Sequence, residues 1–333
     1  MVSVTGAAGR IAYSLIPLLL SGQVFGLETR IQLRLLDIPQ MVEKLEGYVM
    51  EIEDSAFPLL DSVIASADPA VAFLAADVVV LLGGTPRSPG MERREMIAIN
   101  AEGIARQAQA LQEHAKPQVK VLCVANPANT NTLVAIHSAP KIPAKNFSCL
   151  TRLDQERLRG MVSKRYGARA KNLVVWGNHS QTQVPYVLAS TVEVSGEERR
   201  VAEMEDVDEF VPEVIRRVQK RGAEVLKALG VSSAMSAAVA ISYHLRDWCG
   251  EGGSAEMFSM GLLSTGGSYG IPPGIVFSFP CIRNSTGEVE IVDGLPLTDE
   301  VRSMLDASAE ELFAEKREAE EIVGRISISE SRL

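Results

Sequence analysis

The group best suited to proton transfer in this sequence is His179, which follows an apolar run at a Gly-Asn turn in VVWGNHSQTQ. Catalytic groups tend to lie on such loops, whereas His114, His137 and His244 lie in predicted helices or at a helix end. Asp154, in TRLDQER, is the candidate carboxylate partner. It would fix the imidazole tautomer and make His179 a proton acceptor near neutral pH. A lone histidine without such a partner is usually a structural residue.

A second chemical feature is VTGAAGRIA at residues 4–12, in which Gly6, Gly9 and Ala12 separate a β-branched run from an apolar helical run. Small residues at this spacing let backbone amides approach a pyrophosphate, whose charge is favoured at a helix amino end. Asp37 ends the next predicted strand, where it would bind an adenosine ribose and repel a 2′-phosphate. The pattern favours NAD over NADP. The alternative to cofactor binding is that these residues form only a tight turn followed by a surface aspartate.

Cations for an acidic substrate are available at Arg87, Arg93 and Arg152. Arg87 and Arg93 flank SPGME, a loop with proline and glycine that could close over a ligand. Guanidinium groups bind carboxylates through two hydrogen bonds, so this arrangement suits a dicarboxylate. On spacing alone, two exposed charges on a loop explain the same residues equally well.

Composition and missing motifs argue against several other classes. The net charge of −9 and the lack of a basic patch disfavour nucleic-acid binding, and no apolar run has the length of a membrane span. The four cysteines include no Cys-x-x-Cys pair, so we predict buried free thiols and no metal site. None of the six tyrosines has a lysine four residues later, unlike the Tyr-x-x-x-Lys reductases. Because a turn precedes the apolar residues 10–22, a signal peptide is the less favoured interpretation there.

The elements that must position these residues alternate in the first half of the chain. Helical stretches separate the predicted strands VSVTG, RIQLRLLDI, DVVVLLGG and VKVLCVAN. Such alternation implies right-handed crossovers and a parallel sheet. From about residue 150, longer helices mix with short strands. We therefore predict an α/β fold, with a Rossmann-type, doubly wound parallel sheet that binds NAD over residues 1–150 and an α+β catalytic domain over residues 151–333.

Eight segments, in this order along the chain, resemble the cytosolic-type malate dehydrogenase family. They are VTGAAGRIAYSL, LLDI, PRSPGMERRE, NPANTNTL, NFSCLTRLD, WGNHSQTQ, SSAMSAA and SMG...SYGIP. The resemblance extends nearly from end to end. It implies a cytoplasmic homodimer that uses NAD to interconvert malate and oxaloacetate.

The resemblance also implies roles for the residues that act on the substrate. His179, held by Asp154, would exchange the substrate proton. Arg152 would hold the carboxylate next to the reacting carbon, and Arg93 would polarise the carbonyl group. Arg87 would bind the distal carboxylate.

For the cofactor, the resemblance implies that the glycine-rich turn holds the pyrophosphate and that Asp37 binds the adenosine ribose. Two residues would approach from the helix behind the loop, and the residues after a later strand would line the nicotinamide. The implied contacts are Gly6, Ala7, Ala8, Gly9, Arg10, Ile11, Ala12, Asp37, Asn100, Gln107, Val124, Ala125 and Asn126. Asn126 would also reach the substrate.

Three positions depart from the family pattern. Arg10 stands where most members have glutamine, Gln155 where they have histidine, and Tyr186 where they have aspartate. An extra cation at Arg10 would either tighten NAD binding or point to solvent. Gln155 and Tyr186 lie near His179 in sequence, so a dehydrogenase of aromatic or other 2-hydroxy acids is the alternative function. Arg87 argues against it, since a charge-assisted pair there contributes about 1.5–3 kcal/mol to substrate discrimination.

Two further alternatives concern activity and location. A catalytically silent NAD-binding protein would be expected to lack the set of His179, Asp154 and Arg152, which is intact. The final tripeptide Ser331-Arg332-Leu333 resembles a peroxisomal signal of the Ser-Lys-Leu kind. A peroxisome-related organelle is therefore the alternative to the cytoplasm.

Overall fold

The computed structural model describes residues 1–85, 93–194, 196–250 and 256–330 of the chain. By their internal contacts the residues form two compact units. Unit 1 consists of Met1–Cys149 and the chain from Leu312 onward, and unit 2 consists of Leu150–Glu311. Within the described ranges, no helix combines the length and the apolar character needed to cross a membrane.

Unit 1 is built on parallel strands. They are β1 (Val2–Thr5), β2 (Ile31–Leu36), β3 (Leu60–Ser66), β4 (Val78–Leu81), β5 (Lys120–Cys123) and β6 (Phe147–Cys149). Their order is β6-β5-β4-β1-β2-β3. All residues of β1 and β4 are buried, as expected for central strands covered on both faces. In such sheets ligands bind beyond the carboxyl ends of the strands where the order reverses, here β1 and β4.

Helices connect these strands. They are α1 (Arg10–Leu20), α2 (Val42–Asp54), α3 (Pro69–Phe73), α4 (Arg93–His114) and α5 (Ala128–Ser138). In α1, apolar residues at intervals of three and four, such as Ala12, Ile16 and Leu19, form the buried face. Strand and helix periodicities therefore produce the doubly wound parallel sheet, and this part of the predicted fold is confirmed.

Unit 2 combines helices with short strands. The helices are α6 (Arg152–Tyr166), α7 (Val207–Leu229), α8 (Met235–Cys249) and the first part of α9 (Asp299–Glu330). The strands are β7 (Ala170–Lys171), β8 (Val174–Trp176), β9 (Val184–Tyr186), β10 (Thr191–Val194), β11 (Glu197–Arg200), β12 (Phe258–Leu263), β13 (Val276–Arg283) and β14 (Val289–Ile291). They pair antiparallel as β14-β13-β12, β11-β10-β7 and β8-β9.

The core of unit 2 lies between its helices and strands. Leu158 and Val162 of α6 and Val214 of α7 pack in one buried cluster with strand residues such as Val175 and Val192. Helices that cover one side of antiparallel strands are the hallmark of an α+β domain. The predicted α+β character of the second half is therefore confirmed.

The last part of the chain is grouped differently from the division made on sequence, which assigned everything after residue 150 to the second domain. Internal contacts group the chain from Leu312 with unit 1. There Glu315 is buried and accepts a hydrogen bond from the hydroxyl of Thr130 in α5. Helical periodicity alone does not indicate which unit a long helix packs against, so the sequence did not reveal this grouping.

Replacement of Phe73 tests the core of unit 1. Phe73 ends α3 and is fully buried, whereas the next residue, Leu74, is 55% exposed. We expect F73A to lower the free energy of unfolding by about 3–5 kcal/mol, because it leaves a cavity, and L74A to change it by about 0.5 kcal/mol or less. Urea unfolding followed by circular dichroism measures both variants. Equal shifts would contradict the packing described.

Candidate active site

The glycine-rich turn follows β1 in unit 1. Gly6 has a φ of +60°, and a Cβ there would lie 2.7 Å from Cα of Gly83, which follows β4. Gly83 donates its N–H to Oγ1 of Thr5 at 3.2 Å, and Gly9 donates to the carbonyl of Gly6 at 3.0 Å. Glycine is required where two chain segments approach so closely. Helix α1 then begins at Arg10 with no side-chain cap at Gly9, so its amino end suits an anion.

Asp37 lies directly after β2 and contacts this turn. Its Oδ2 accepts the N–H of Ala8 at 2.9 Å, and its Oδ1 accepts the N–H of Ile38 at 2.8 Å. The carbonyl of Ala8 accepts hydrogen bonds from Nζ of Lys44 at 2.8 Å and from the hydroxyl of Tyr48 at 3.3 Å. Both backbone polar groups of one turn residue are therefore held by neighbouring side chains. The helical pattern around Lys44 gives no sign of this contact in the sequence.

The segment after β5 is tied to the segment after β4. The N–H groups of Val124 and Ala125 both donate to the carbonyl of the last residue of β4, at 2.9 and 3.1 Å. The buried Asn100 of α4 donates to the carbonyl of Asn126 at 2.8 Å and accepts the N–H of Thr85 at 2.7 Å. Asn100 thus fixes the loops at two adjacent strand ends, which is where a doubly wound sheet binds its ligand.

The other predicted cofactor residues lie on the turn or on the helices beside it. Ala7 is buried and donates its N–H to a carbonyl of β2 at 3.1 Å, and Ala12 is buried on α1. Arg10 is exposed and Ile11 is half-buried. Gln107 donates to a carbonyl one turn earlier in its own helix at 3.2 Å, so this hydrogen bond stays within α4.

The predicted proton-transfer pair is formed within unit 2. Asp154 lies in the first turn of α6 and is fully buried. His179 lies shortly after β8 with 19% of its side chain exposed. Its Nδ1 is 2.5 Å from Oδ2 of Asp154. The contact orients the imidazole so that Nε2 is the nitrogen that does not face the carboxylate.

The charge of Asp154 is stabilised despite its burial. Burial raises the pKa of this carboxyl, but the positive charges and hydrogen bonds of His179 and Arg157 outweigh it, so the pKa lies below its ordinary value. Because the folded pKa is lower than the unfolded one, the ionised pair stabilises the fold above the unfolded pKa. This contribution is lost as the pH falls through the folded pKa. Asp154 is therefore ionised at neutral pH.

Arg157 is a cation of this cluster that the sequence analysis missed. It lies one turn after Asp154 on α6, with Nη1 3.1 Å from Oδ1 of Asp154 and Nη2 3.3 Å from Oγ of Ser233. Its side chain is 13% exposed. The available signal was the i, i+3 spacing, which puts Asp154 and Arg157 on one face of a helix. Asp154 thus joins an acid–base group, His179, and a permanent cation in one cluster.

Arg152, the predicted partner of the carboxylate next to the reacting carbon, is enclosed by side chains of unit 2. Its side chain is only 3% exposed, with Nε 2.7 Å from Oε1 of Glu156 and Nη1 2.7 Å from Oδ2 of Asp247. The guanidinium also lies near the rings of Tyr243 and Phe258. A cation enclosed by two carboxylates and two rings of its own unit stabilises that unit.

The two departures from the family pattern near His179 have contacts inside unit 2. Oε1 of Gln155 accepts the N–H of Ser259 at 2.6 Å. The buried Tyr186 packs on Trp176 with ring centroids 4.6 Å apart, and its hydroxyl donates to the carbonyl of Pro296 at 2.7 Å. Burial raises the pKa of Tyr186 to about 12, so the phenol stays protonated. These packing roles give no argument for a changed substrate.

Two predicted substrate residues cannot be placed in this cluster. Arg87 lies outside the residues that the structure describes. Arg93 begins α4, but its side chain also lies outside the described part. Their roles therefore stay predictions from the sequence.

Both halves of the chain match models of one protein family. Residues 1–148 match the lactate/malate dehydrogenase NAD binding domain, and residues 151–323 match the lactate/malate dehydrogenase alpha/beta C-terminal domain. Among curated relatives, cytoplasmic malate dehydrogenase of Rattus norvegicus is 48% identical over 97% of both chains. Cytoplasmic malate dehydrogenase of Zea mays is 46% identical over 95% of this chain and 96% of the relative.

Solved structures show the same similarity. Malate dehydrogenase from Naegleria fowleri has a TM-score of 0.90 and 38% identity, covering 96% of this chain and 98% of that chain. Trichomonas vaginalis lactate dehydrogenase in complex with NADH and oxamate has a TM-score of 0.92 and 34% identity, covering 97% and 99%. With both of its halves matched and nearly half of its residues identical to those of a full-length relative, the chain belongs to the lactate/malate dehydrogenase family.

Proposed function

We propose that this chain catalyses the reversible, NAD-dependent oxidation of (S)-malate to oxaloacetate. The observation that carries the reaction class is the 2.5 Å contact between His179 and the buried Asp154, with Arg157 on the same carboxylate. The choice of malate is supported by the relatives named malate dehydrogenase. Lactate or another 2-hydroxy acid is the second candidate, because a neighbour with a TM-score of 0.92 is a lactate dehydrogenase.

The turn after β1 and its surroundings fit a dinucleotide. Gly6 allows the tight turn, and the uncapped amino end of α1 offers first-turn backbone amides to a pyrophosphate, which residues 6–12 would bind. Asp37 would bind the adenosine ribose. Asn100 and Gln107 would contact the cofactor from α4, and residues 124–126 would line the nicotinamide. When bound, NAD supplies a nicotinamide ring that accepts or donates a hydride.

His179 is the proposed proton carrier. In malate oxidation its Nε2 takes the proton of the C2 hydroxyl, and in oxaloacetate reduction it returns that proton to the developing alkoxide. Asp154 accepts the Nδ1–H, which fixes the tautomer and stabilises the imidazolium formed during oxidation. The partial exposure of His179 is consistent with a group that must reach a substrate.

Arg157, rather than Arg152, is the proposed partner of the carboxylate next to the reacting carbon. Arg157 shares Asp154 with His179 and keeps part of its side chain accessible, whereas Arg152 is enclosed by carboxylates. Two parallel hydrogen bonds from a guanidinium would fix the orientation of the substrate. From the sequence, Arg93 would polarise the C2 carbonyl and Arg87 would bind the distal carboxylate and exclude lactate.

We also propose that the chain works as a homodimer in the cytoplasm. The family resemblance supports the homodimer, and relatives named cytoplasmic malate dehydrogenase support the location. The alternative, a peroxisome-related organelle, depends on Ser331-Arg332-Leu333, which lies outside the described residues.

A direct assay tests the proposed function. We expect the purified protein to oxidise NADH rapidly with oxaloacetate and far more slowly with pyruvate or phenylpyruvate, and to prefer NADH over NADPH because Asp37 repels a 2′-phosphate. Absorbance at the NADH band measures each rate. A preference for pyruvate or phenylpyruvate would contradict the malate assignment. Binding of NADH without turnover of any of the three substrates would support the alternative of a catalytically silent NAD-binding protein.

The D154N variant tests whether His179 transfers the proton. D154N keeps the shape of the side chain but removes the charge that fixes the tautomer of His179, so we expect kcat to fall by about 100-fold or more. The matched control is D206N, since the pKa of Asp206 is also lowered, by its hydrogen bond to Arg165, at a distance from the cluster. Steady-state kinetics should show D206N near wild type. Similar losses in the two variants would argue against the assigned role.

Lysine substitutions distinguish the roles of Arg152 and Arg157 on α6. R157K keeps a positive charge beside Asp154 but loses the paired hydrogen bonds to a substrate carboxylate, so we expect kcat/KM for oxaloacetate to fall by about 10- to 100-fold, with a smaller change in Tm than in R152K. R152K disturbs a buried ion pair, so we expect mainly a lower Tm. Steady-state kinetics give kcat/KM for oxaloacetate and thermal unfolding gives Tm for both variants. The opposite pattern would return the substrate role to Arg152.

A further inference from the structure

A carboxylate of α9 binds the loop that carries His179. Oε2 of Glu311 accepts hydrogen bonds from Nδ2 of Asn178 at 2.8 Å, from Oγ of Ser180 at 2.5 Å and from Oγ1 of Thr182 at 2.6 Å. Asn178 and Ser180 are the immediate neighbours of His179 in the chain. One oxygen atom therefore holds the residues on both sides of the proposed proton carrier.

Ser308, one turn earlier on α9, holds the same loop by its backbone. Its Oγ accepts the N–H of Asn178 at 2.8 Å. A Cβ added to Gly177 would lie 2.3 Å from this Oγ, and Gly177 has a φ of +94°. The loop thus approaches Ser308 so closely that only glycine fits at position 177. Ser308 is itself completely buried, which keeps its hydroxyl fixed.

Asp154 and α9 constrain different parts of His179. Asp154 contacts the ring at Nδ1 and sets its tautomer, but one hydrogen bond does not fix where the backbone places the ring. The contacts of Glu311 and Ser308 hold the residues next to His179 and so constrain that backbone. Because misplacement of a reacting group by about 1 Å costs up to 100-fold in rate, such anchoring has a direct effect on turnover.

We propose that Glu311 and Ser308 are positioning residues for proton transfer, which hold the loop of residues 177–182 so that the imidazole of His179 meets both Asp154 and the substrate. The proposal rests on the proposed function of His179. Neither residue touches the imidazole in the contacts described, so each acts through the loop.

The test compares E311A and S308A with E310A. Glu310 is the exposed neighbour of Glu311 on the same helix and serves as the matched control. Each rate is divided by the concentration of NADH-binding sites, measured by fluorescence titration, so that loss of folded protein does not count as loss of activity. We expect kcat for oxaloacetate to fall by about 10- to 100-fold in E311A and S308A, KM to change much less, and E310A to match wild type.

A second readout does not depend on turnover. We expect the proton shared by His179 and Asp154 to give a strongly downfield NMR signal, which its loss in D154N would assign. We expect the signal to shift or broaden in E311A and S308A and to remain unchanged in E310A. Because this signal reports the geometry of His179 alone, it distinguishes failure of the positioning role from failure of the proposed reaction.

The proposal is overturned if E311A matches E310A both in corrected kcat and in the downfield signal. A lower Tm in E311A with these two quantities unchanged would show that Glu311 only supports the fold, and it would overturn the proposal equally. If E311A does not fold, S308A decides by the same two criteria. Wild-type protein that fails to reduce oxaloacetate would contradict the proposed function, and the NMR comparison would still decide whether Glu311 positions His179.

Discussion

The arrangement of unit 2 depends on one fully buried carboxylate, that of Asp154. A buried charge is tolerated only where partners compensate for the water it has lost. Here the compensation comes from two directions, a guanidinium on the same helix and an imidazole on a loop far along the chain. Removing either partner would leave the buried charge of Asp154 only partly compensated. The need to stabilise this ion therefore brings together the groups that can also move a proton and bind an anion.

Helix α6 uses two arginines in different ways, although they are only five positions apart. Arg152 lies between Glu156 and Asp247 and is enclosed by aromatic rings, so its charge stabilises the fold of unit 2. Arg157 has one carboxylate contact and remains partly accessible, which leaves hydrogen-bonding capacity for a ligand. A helix whose buried end is locked by ion pairs provides the rigid base on which Asp154 and Arg157 keep their geometry. Breaking such a buried pair typically costs about 3–5 kcal/mol.

The sequence predicted the features that depend on local pattern. Alternating strands and helices gave the doubly wound sheet, the spacing of Gly6 and Gly9 gave the turn, and the His179–Asp154 pair was foreseen. The sequence singled out Arg152 and gave no reason to consider Arg157, because the two differ in what surrounds each guanidinium. Burial against Asp247 of α8 is a tertiary contact that spacing within α6 does not reveal.

Glu311 lay beyond prediction for the same reason, since 131 residues separate it from Ser180. Its helix has a polar, acidic pattern that is typical of a solvated surface, and an exposed glutamate is the ordinary expectation there. The role of Glu311 is seen only in the structure, where three side-chain donors from another segment meet at one of its oxygens. Long-range polar networks of this kind position the residues of a site accurately, but they leave no pattern in the sequence from which they can be predicted.

A comparison of two histidines shows how environment selects the proton carrier. His244 of α8 is completely buried, and in the part of the chain that the structure describes neither of its ring nitrogens has a hydrogen-bond partner. Burial and the nearby charge of Arg152 lower its pKa to about 3, so it stays neutral at physiological pH. His179 has the opposite setting, with a carboxylate at Nδ1 and a partly exposed ring. Of these two imidazoles, only that of His179 has both a carboxylate partner to stabilise the imidazolium and partial exposure of its ring.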